Sequence, residues 1–289
     1  MPSSPSDLLD TWLGARLEDS AEDWLHENVA STLRGGADAS FLLAFSTASR
    51  RVGKATLMLS DADIKSADEA RPGWKPGFWT TADAARTLLV LALPAEDAAA
   101  HRAVLDGLFA DGDHGETVAL YQALPLLPHP LEYRARASEG IRSNMKTVFE
   151  AVALRNPYPA EMLDEGAWNQ LILKCLFVGS RLLEVEGVDG RANETLAKML
   201  SDYAHERWAA GRSVSPELWR PLGPFADGPL LADLERVLAT GTEWERAAVA
   251  LSARHNPNAE ALFVAHGRAA DRALNAYPTW EAVVAASPH

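Results

Sequence analysis

Apolar residues recur at three- and four-residue spacing along almost the whole chain, and that period decides the fold class. Leu8, Leu9, Trp12, Leu13 and Leu17 share one helical face, and Trp24, Leu25, Val29 and Leu33 share the next. Ser6 or Asp7 can cap the first of these helices and Asp19 or Ser20 the second, which Gly35-Gly36 can end. Phe41, Leu42, Leu43 and Phe45 open a third. No stretch alternates apolar and polar residues convincingly with the two-residue period of a strand. The expectation is therefore an all-α protein.

Residues 61–80 are the least regular stretch. Pro72, Gly73, Pro76 and Gly77 oppose a helix, while Trp74, Phe78 and Trp79 require packing partners, so a structured loop is expected. Thr80 or Thr81 then caps an apolar helix through Leu93, closed by Pro94, and another runs from about Glu96 to Phe109.

Two later segments match at one constant offset. Gly112, Glu116, Ala119 and Pro128 correspond to Gly241, Glu245, Ala248 and Pro257. Each segment follows an apolar helix, and each is followed by a further helix. Helix, glycine turn, glutamate-bearing helix and proline is the pattern of HEAT-type hairpins, so an irregular HEAT-like stack, an α-α superhelix, is expected. We read residues 1–289 as one elongated helical domain. The alternative division is an N-terminal helical part, 1–110, and a HEAT-type part, 111–289.

Bulk properties narrow the partners. The formal charge of −13 repels nucleic-acid phosphates and anionic lipid heads. The longest apolar stretch, Thr87 to Ala95, is far shorter than the ~20 residues of a membrane span. Nucleic-acid binding and direct membrane insertion are thus not expected. The opening Met1-Pro2-Ser3-Ser4-Pro5-Ser6-Asp7 has neither the basic nor the apolar region of a signal peptide. The single cysteine, Cys175, reads as a buried thiol and fits a reducing cytoplasm.

Local catalytic signatures are missing. The glycine pairs lack phosphate-loop spacing, and no Gly-x-Ser-x-Gly elbow occurs. His26-Glu27 and His205-Glu206 each lack the second histidine of a zincin helix, so no metal and no cofactor is expected.

The segment from Asn156 to Arg212 is the most informative. After the turn Asn156-Pro157-Tyr158-Pro159, Asp164 precedes a helix expected from about Glu165 to Leu183. Gln170, Lys174, Phe177 and Arg181 share one narrow face of it, amid an otherwise apolar circumference. The stripe either reaches solvent or acidic neighbours, or lines a groove that receives an anionic ligand or partner segment. On the second reading Gln170, Lys174 and Arg181, with Asn169 and Tyr158, are the binding candidates. Asp202, His205 and Glu206 lie at helical spacing on the next helix and form a candidate acid–base cluster; a solvated face with local ion pairs explains them equally.

Asn156-Pro157-Tyr158-Pro159-Ala160-Glu161, the run Ala167 to Gly179 and the run Asp202 to Arg212 resemble the EboA family. Ser215-Pro216-Glu217-Leu218-Trp219-Arg220 and Ala119 to Pro128 fit it too. The resemblance spans roughly the last two-thirds of the chain. It implies a bacterial protein of the ebo gene cluster, whose neighbours resemble a UbiA-type prenyltransferase and a TatD-like hydrolase. It also implies a role in secondary metabolism and metabolite export, but it carries no catalytic residues. The combined reading is a non-catalytic binding or scaffold protein of that pathway. The alternative is an enzyme acting on a phosphorylated or cyclitol-type metabolite through Asp202, His205 and Glu206.

Overall fold

The computed structural model describes residues 3–287, so Met1 and Pro2 of the opening stretch read above lie outside the described residues. The fold is all-α. Among the described residues, regular structure is helical apart from one isolated antiparallel bridge, Thr56 to Thr80. Within the described residues no helix is long and apolar enough to cross a membrane. The chain divides into two compact units, Met1–Leu163 and Asp164–His289. The alternative boundary near residue 110 falls inside the first unit.

The first unit contains α1 (Pro5–Gly14), α2 (Asp19–Gly35), α3 (Ala39–Arg51), α4 (Asp61–Ala70) and α5 (Thr81–Leu91). It continues with α6 (Ala98–Asp111), α7 (His114–Ala123), α8 (Arg134–Arg142), α9 (Lys146–Ala153) and α10 (Tyr158–Met162). Helix α5 is its axis. It packs against α1, α2, α3 and α7 and is buried on nearly every side. The Thr80 hydroxyl and the Asp83 carboxylate form a capping box that starts it. Leu88, Leu89 and Val90 are then buried, each worth about 1.5–3 kcal/mol relative to exposure.

Residues 61–80 differ from the expected loop. Ser60 and Asp63 form a capping box that starts α4, and only the stretch after Ala70 is irregular. Its aromatic residues do pack. Trp74 lies with its ring centre 5.8 Å from Trp12 and 5.7 Å from Trp79, and both Trp74 and Trp79 are buried. The first cap also shifts, because Ser4 rather than Ser6 or Asp7 caps α1.

The second unit contains α11 (Glu165–Val178), α12 (Glu194–Ala209), α13 (Trp219–Leu222) and α14 (Gly228–Thr240). It ends with α15 (Glu243–Ala253), α16 (Glu260–Ala276) and α17 (Trp280–Ala286). Here α15 is the axis, packed against α13, α14, α16 and α17.

The two matched segments fold alike. Gly112 ends α6 and Gly241 ends α14, and the next residues, Asp113 and Thr242, open capping boxes with Glu116 and Glu245. Glycine is needed for space: a Cβ at Gly112 would lie 2.6 Å from the Leu108 carbonyl, and one at Gly241 2.6 Å from the Val237 carbonyl. A second shared device was not evident from the sequence. Buried Asn156 donates from Nδ2 to the Tyr121 and Ala151 carbonyls and accepts the Tyr158 amide. Buried Asn256 donates to the Gly223 and Ala226 carbonyls and accepts the Asn258 amide. Each asparagine ties together carbonyls and an amide of neighbouring chain turns.

Candidate functional site: a polar cavity in the second unit

Helix α11 stops earlier than its apolar pattern suggests. Gly179 adopts the left-handed conformation, with φ 69°, and terminates it after Val178. Arg181 therefore lies beyond the helix, at the start of a 3-10 turn over Leu182–Glu184. The expected four-residue stripe is broken. Gln170 and Phe177 are exposed on α11, Lys174 is half-buried, and burial lowers the pKa of its amine. Asn169 is buried and exchanges amide hydrogen bonds with Asn193, the N-cap of α12, at 2.9 and 3.3 Å. Asn193 Oδ1 in turn accepts the Leu196 amide. Asn169 thus positions a helix start. Tyr158, in the first unit, is buried; its hydroxyl donates to the Pro130 carbonyl, and burial raises its pKa.

Arg181 does line a cavity of about 420 Å³. That volume is within the ~300–1,000 Å³ typical of small-molecule sites. Leu176, Tyr203, Arg207, Glu217 and Trp244 also line it, and hydroxyls come from Ser180, Ser213, Ser215, Thr242 and Ser287. Helical geometry explains which residues reach it. Tyr203 and Arg207 are four residues apart and share a face of α12, whereas His205 between them points the other way. On α11, Leu176 faces the cavity, and Lys174, two residues earlier, does not line it. Lys174 and His205 therefore lie away from the cavity, while Arg181 lines it.

His205 has a different partner from the one expected. Its Nε2 donates to Asp233 Oδ1 at 2.6 Å, and the Ser201 hydroxyl donates to Asp233 Oδ2 at 2.6 Å. Asp202 and Glu206 are exposed, and neither is hydrogen-bonded or ion-paired to His205. The carboxylate sits between hydroxyl and imidazole, so the imidazole is not positioned to take the serine proton. This order differs from that of a nucleophile–base–orienter chain. Beside His205, Arg236 lies 4.1 Å over the Trp208 ring, which stacks on Trp219 at 6.0 Å. Among the described residues no group of three or more His, Cys, Asp or Glu could hold a metal ion.

Glu217 was missed as an individual residue. It is buried and accepts the Leu183 amide at 2.5 Å, holding the first turn of the 3-10 segment that carries Arg181. Burial pushes its pKa up, opposed by the Leu183 and Leu182 amides and the charges of Arg220 and Arg181. Its signal was a lone charge inside the apolar run Pro216-Glu217-Leu218-Trp219. Arg207 donates from Nε to the Ser213 carbonyl at 2.9 Å, which fixes its stem at the cavity wall.

Fold and site together define a class: an all-α protein with a polar, arginine-bearing cavity and none of the expected acid–base residues in its wall. The chain belongs to the EboA family, whose model, described as metabolite traffic protein EboA, matches residues 5–223. The match includes the N-terminal hundred residues, which the sequence motifs fitted only loosely, and ends at Gly223. No curated protein and no solved structure matches the chain.

Proposed function

We propose that the protein is a non-catalytic metabolite-binding protein that takes an anionic, hydroxyl-bearing small molecule into the second-unit cavity. The carrying observation is the cavity wall: Arg181 and Arg207 stand among serine and threonine hydroxyls, in a chain with a formal charge of −13. Guanidinium groups recognise carboxylate or phosphate through paired N–H donors. The hydroxyls and Tyr203 suit a polar body, and Trp244 offers a ring face. Of the two carboxylates in the wall, Glu217 accepts the Leu183 amide and Glu245 the Thr242 amide and hydroxyl, and His205 points elsewhere, so the acids serve as caps. The family's description as metabolite traffic protein supports carriage over chemistry.

The resemblance extends the reading. The protein would act in the bacterial cytoplasm within an ebo-type secondary-metabolite pathway, as a binding or scaffold partner of the UbiA-like prenyltransferase or the TatD-like hydrolase. HEAT-like stacking of the helices would supply the surface for that scaffold role, with Gln170 and Lys174 offered to a protein partner.

Calorimetry with inorganic phosphate and glucose 6-phosphate as probes tests the cavity. Saturable binding of glucose 6-phosphate is expected, weakened at least tenfold, about 1.4 kcal/mol, by Arg207→Ala. Equal binding to the wild-type and Arg207→Ala proteins, or no binding of either probe, would count against the reading.

A further inference from the structure

A second cavity lies wholly within the first unit, and no arginine lines it. It encloses about 400 Å³ between the N-terminal half of α3 and the C-terminal half of α6. Leu42, Phe45, Val104 and Leu108 supply its walls, and Ala103 and Gly107 its floor along α6. Leu42 remains 49% exposed at the mouth, with Leu43 beside it 64% exposed. A mainly apolar hollow with a few convergent polar groups is the usual form of a small-molecule site.

The polar groups stand at one end. Asp111 is exposed in the last turn of α6, a turn that carries no basic residue, so the carbonyl end of the helix dipole adds to its negative charge. Glu116 is buried at the same end, accepts the Asp113 amide at 2.9 Å and lies 3.7 Å from Arg86. The N-terminus of α7 is capped by carboxylates of the chain itself. Asp113 Oδ1 accepts the Glu116 amide at 2.8 Å, completing the reciprocal cap. Arg86 donates from Nε to the Phe45 carbonyl and faces Glu116. The end therefore presents two carboxylates, Asp111 exposed at the mouth and Glu116 held against Arg86.

We infer that this cavity binds a small amphiphile with an apolar body and a neutral or cationic hydrogen-bond-donating head, the body along Ala103 and Gly107 and the head at Asp111 and Glu116. The site is separate from the polar cavity of the second unit and has the reverse charge preference. Its test does not depend on the outcome there.

Gly107 gives a clean probe. A Cβ at this helical position meets no atom within 4 Å, so a side chain built there starts into open space. Calorimetric titration of the full chain with octylammonium, 1-octanol and octanoate, all below their aggregation limits, reads the site. Octylammonium and octanol are expected to bind, and octanoate at least tenfold more weakly. Gly107→Leu should abolish binding of the first two while leaving the thermal midpoint unchanged or higher, since leucine favours helix over glycine. Asp111→Asn should narrow the gap between octylammonium and octanoate. The inference is overturned if octanoate binds as tightly as octylammonium, if Gly107→Leu binds like wild type, or if no probe binds. Self-association that Gly107→Leu removes, with no probe bound, would assign the groove to a second copy of the chain and likewise overturn it.

Discussion

The Glu217 carboxylate accepts the Leu183 amide at 2.5 Å while itself buried, so one acidic side chain holds the turn that presents Arg181 to the cavity. Burial is the largest influence on this group and raises its pKa above the ordinary glutamate value. The folded state therefore binds the proton more tightly than the unfolded chain does. Stability from this group falls as pH rises from the ordinary glutamate value through the raised one. Glu217→Gln keeps an acceptor for the amide and removes the charge. Its denaturant midpoint at pH 7 should equal or exceed that of wild type, and the advantage should vanish as pH falls to 4. A variant less stable than wild type at pH 7 would show that the ionised form is favoured there.

Asn256 fills three bonding roles at once, donating twice and accepting once in a buried turn. Asn256→Asp preserves shape but cannot donate to the Gly223 and Ala226 carbonyls. It should cost at least as much as Asn256→Ala, about 1–3 kcal/mol, because the Ala226 carbonyl loses its side-chain donor while the Gly223 carbonyl keeps the Ala226 amide at 3.3 Å. Urea melts of both variants beside wild type provide the comparison. Asn156→Asp should behave likewise in the first unit, because its donors serve the Tyr121 and Ala151 carbonyls.

The matched glycines predict matched costs. Gly112→Ala and Gly241→Ala each drive a Cβ toward a carbonyl oxygen of the preceding helix. Each should lower stability by about 1–3 kcal/mol. Thr242→Ala, which removes only the cap hydroxyl, should cost about 1 kcal/mol. Thermal melts of the three variants should rank Thr242→Ala as no worse than either glycine replacement.

These positions also show what the sequence could reveal. The helical period and the Gly112 and Gly241 punctuation are local, so the all-α fold and the duplicated hairpin were readable without coordinates. Helix α4 is less legible, because its Ser60–Asp63 capping box opens only ten residues of helix before the breakers Pro72 to Gly77. The end of α11 was signalled by Gly179, a common left-handed terminator, but the apolar run past it suggested continuation to Leu183. A helix continued to Leu183 would carry Arg181 on a stripe with Gln170 and Lys174; the stop at Gly179 puts it in the cavity wall. Asp233 carried a usable signal. Its spacing from Leu230, Leu234 and Val237 puts it on the buried face of α14, where a carboxylate requires partners. Which partners it finds is a long-range fact, set by packing of α12 against α14, and no local pattern holds it.

That pairing decides how the acid–base cluster should respond to mutation. Asp233 is 6% exposed and His205 59% exposed at the side chain. Asp233→Ala strands the buried Ser201 hydroxyl and leaves a small void, so it should cost about 2–3 kcal/mol. His205→Ala opens a position that water can fill beside the remaining carboxylate, and about 0.5–1.5 kcal/mol is expected. Asp202→Asn and Glu206→Gln alter exposed groups and should stay within about 0.5 kcal/mol of wild type. Since Asp233 separates Ser201 from His205, the imidazole is not placed to activate the serine hydroxyl. A fluorophosphonate probe should leave Ser201 unlabelled at pH 8, as judged by intact-mass spectrometry. Stoichiometric labelling lost in His205→Ala would instead place the imidazole within reach of the hydroxyl and restore an enzymatic role to this face of α12.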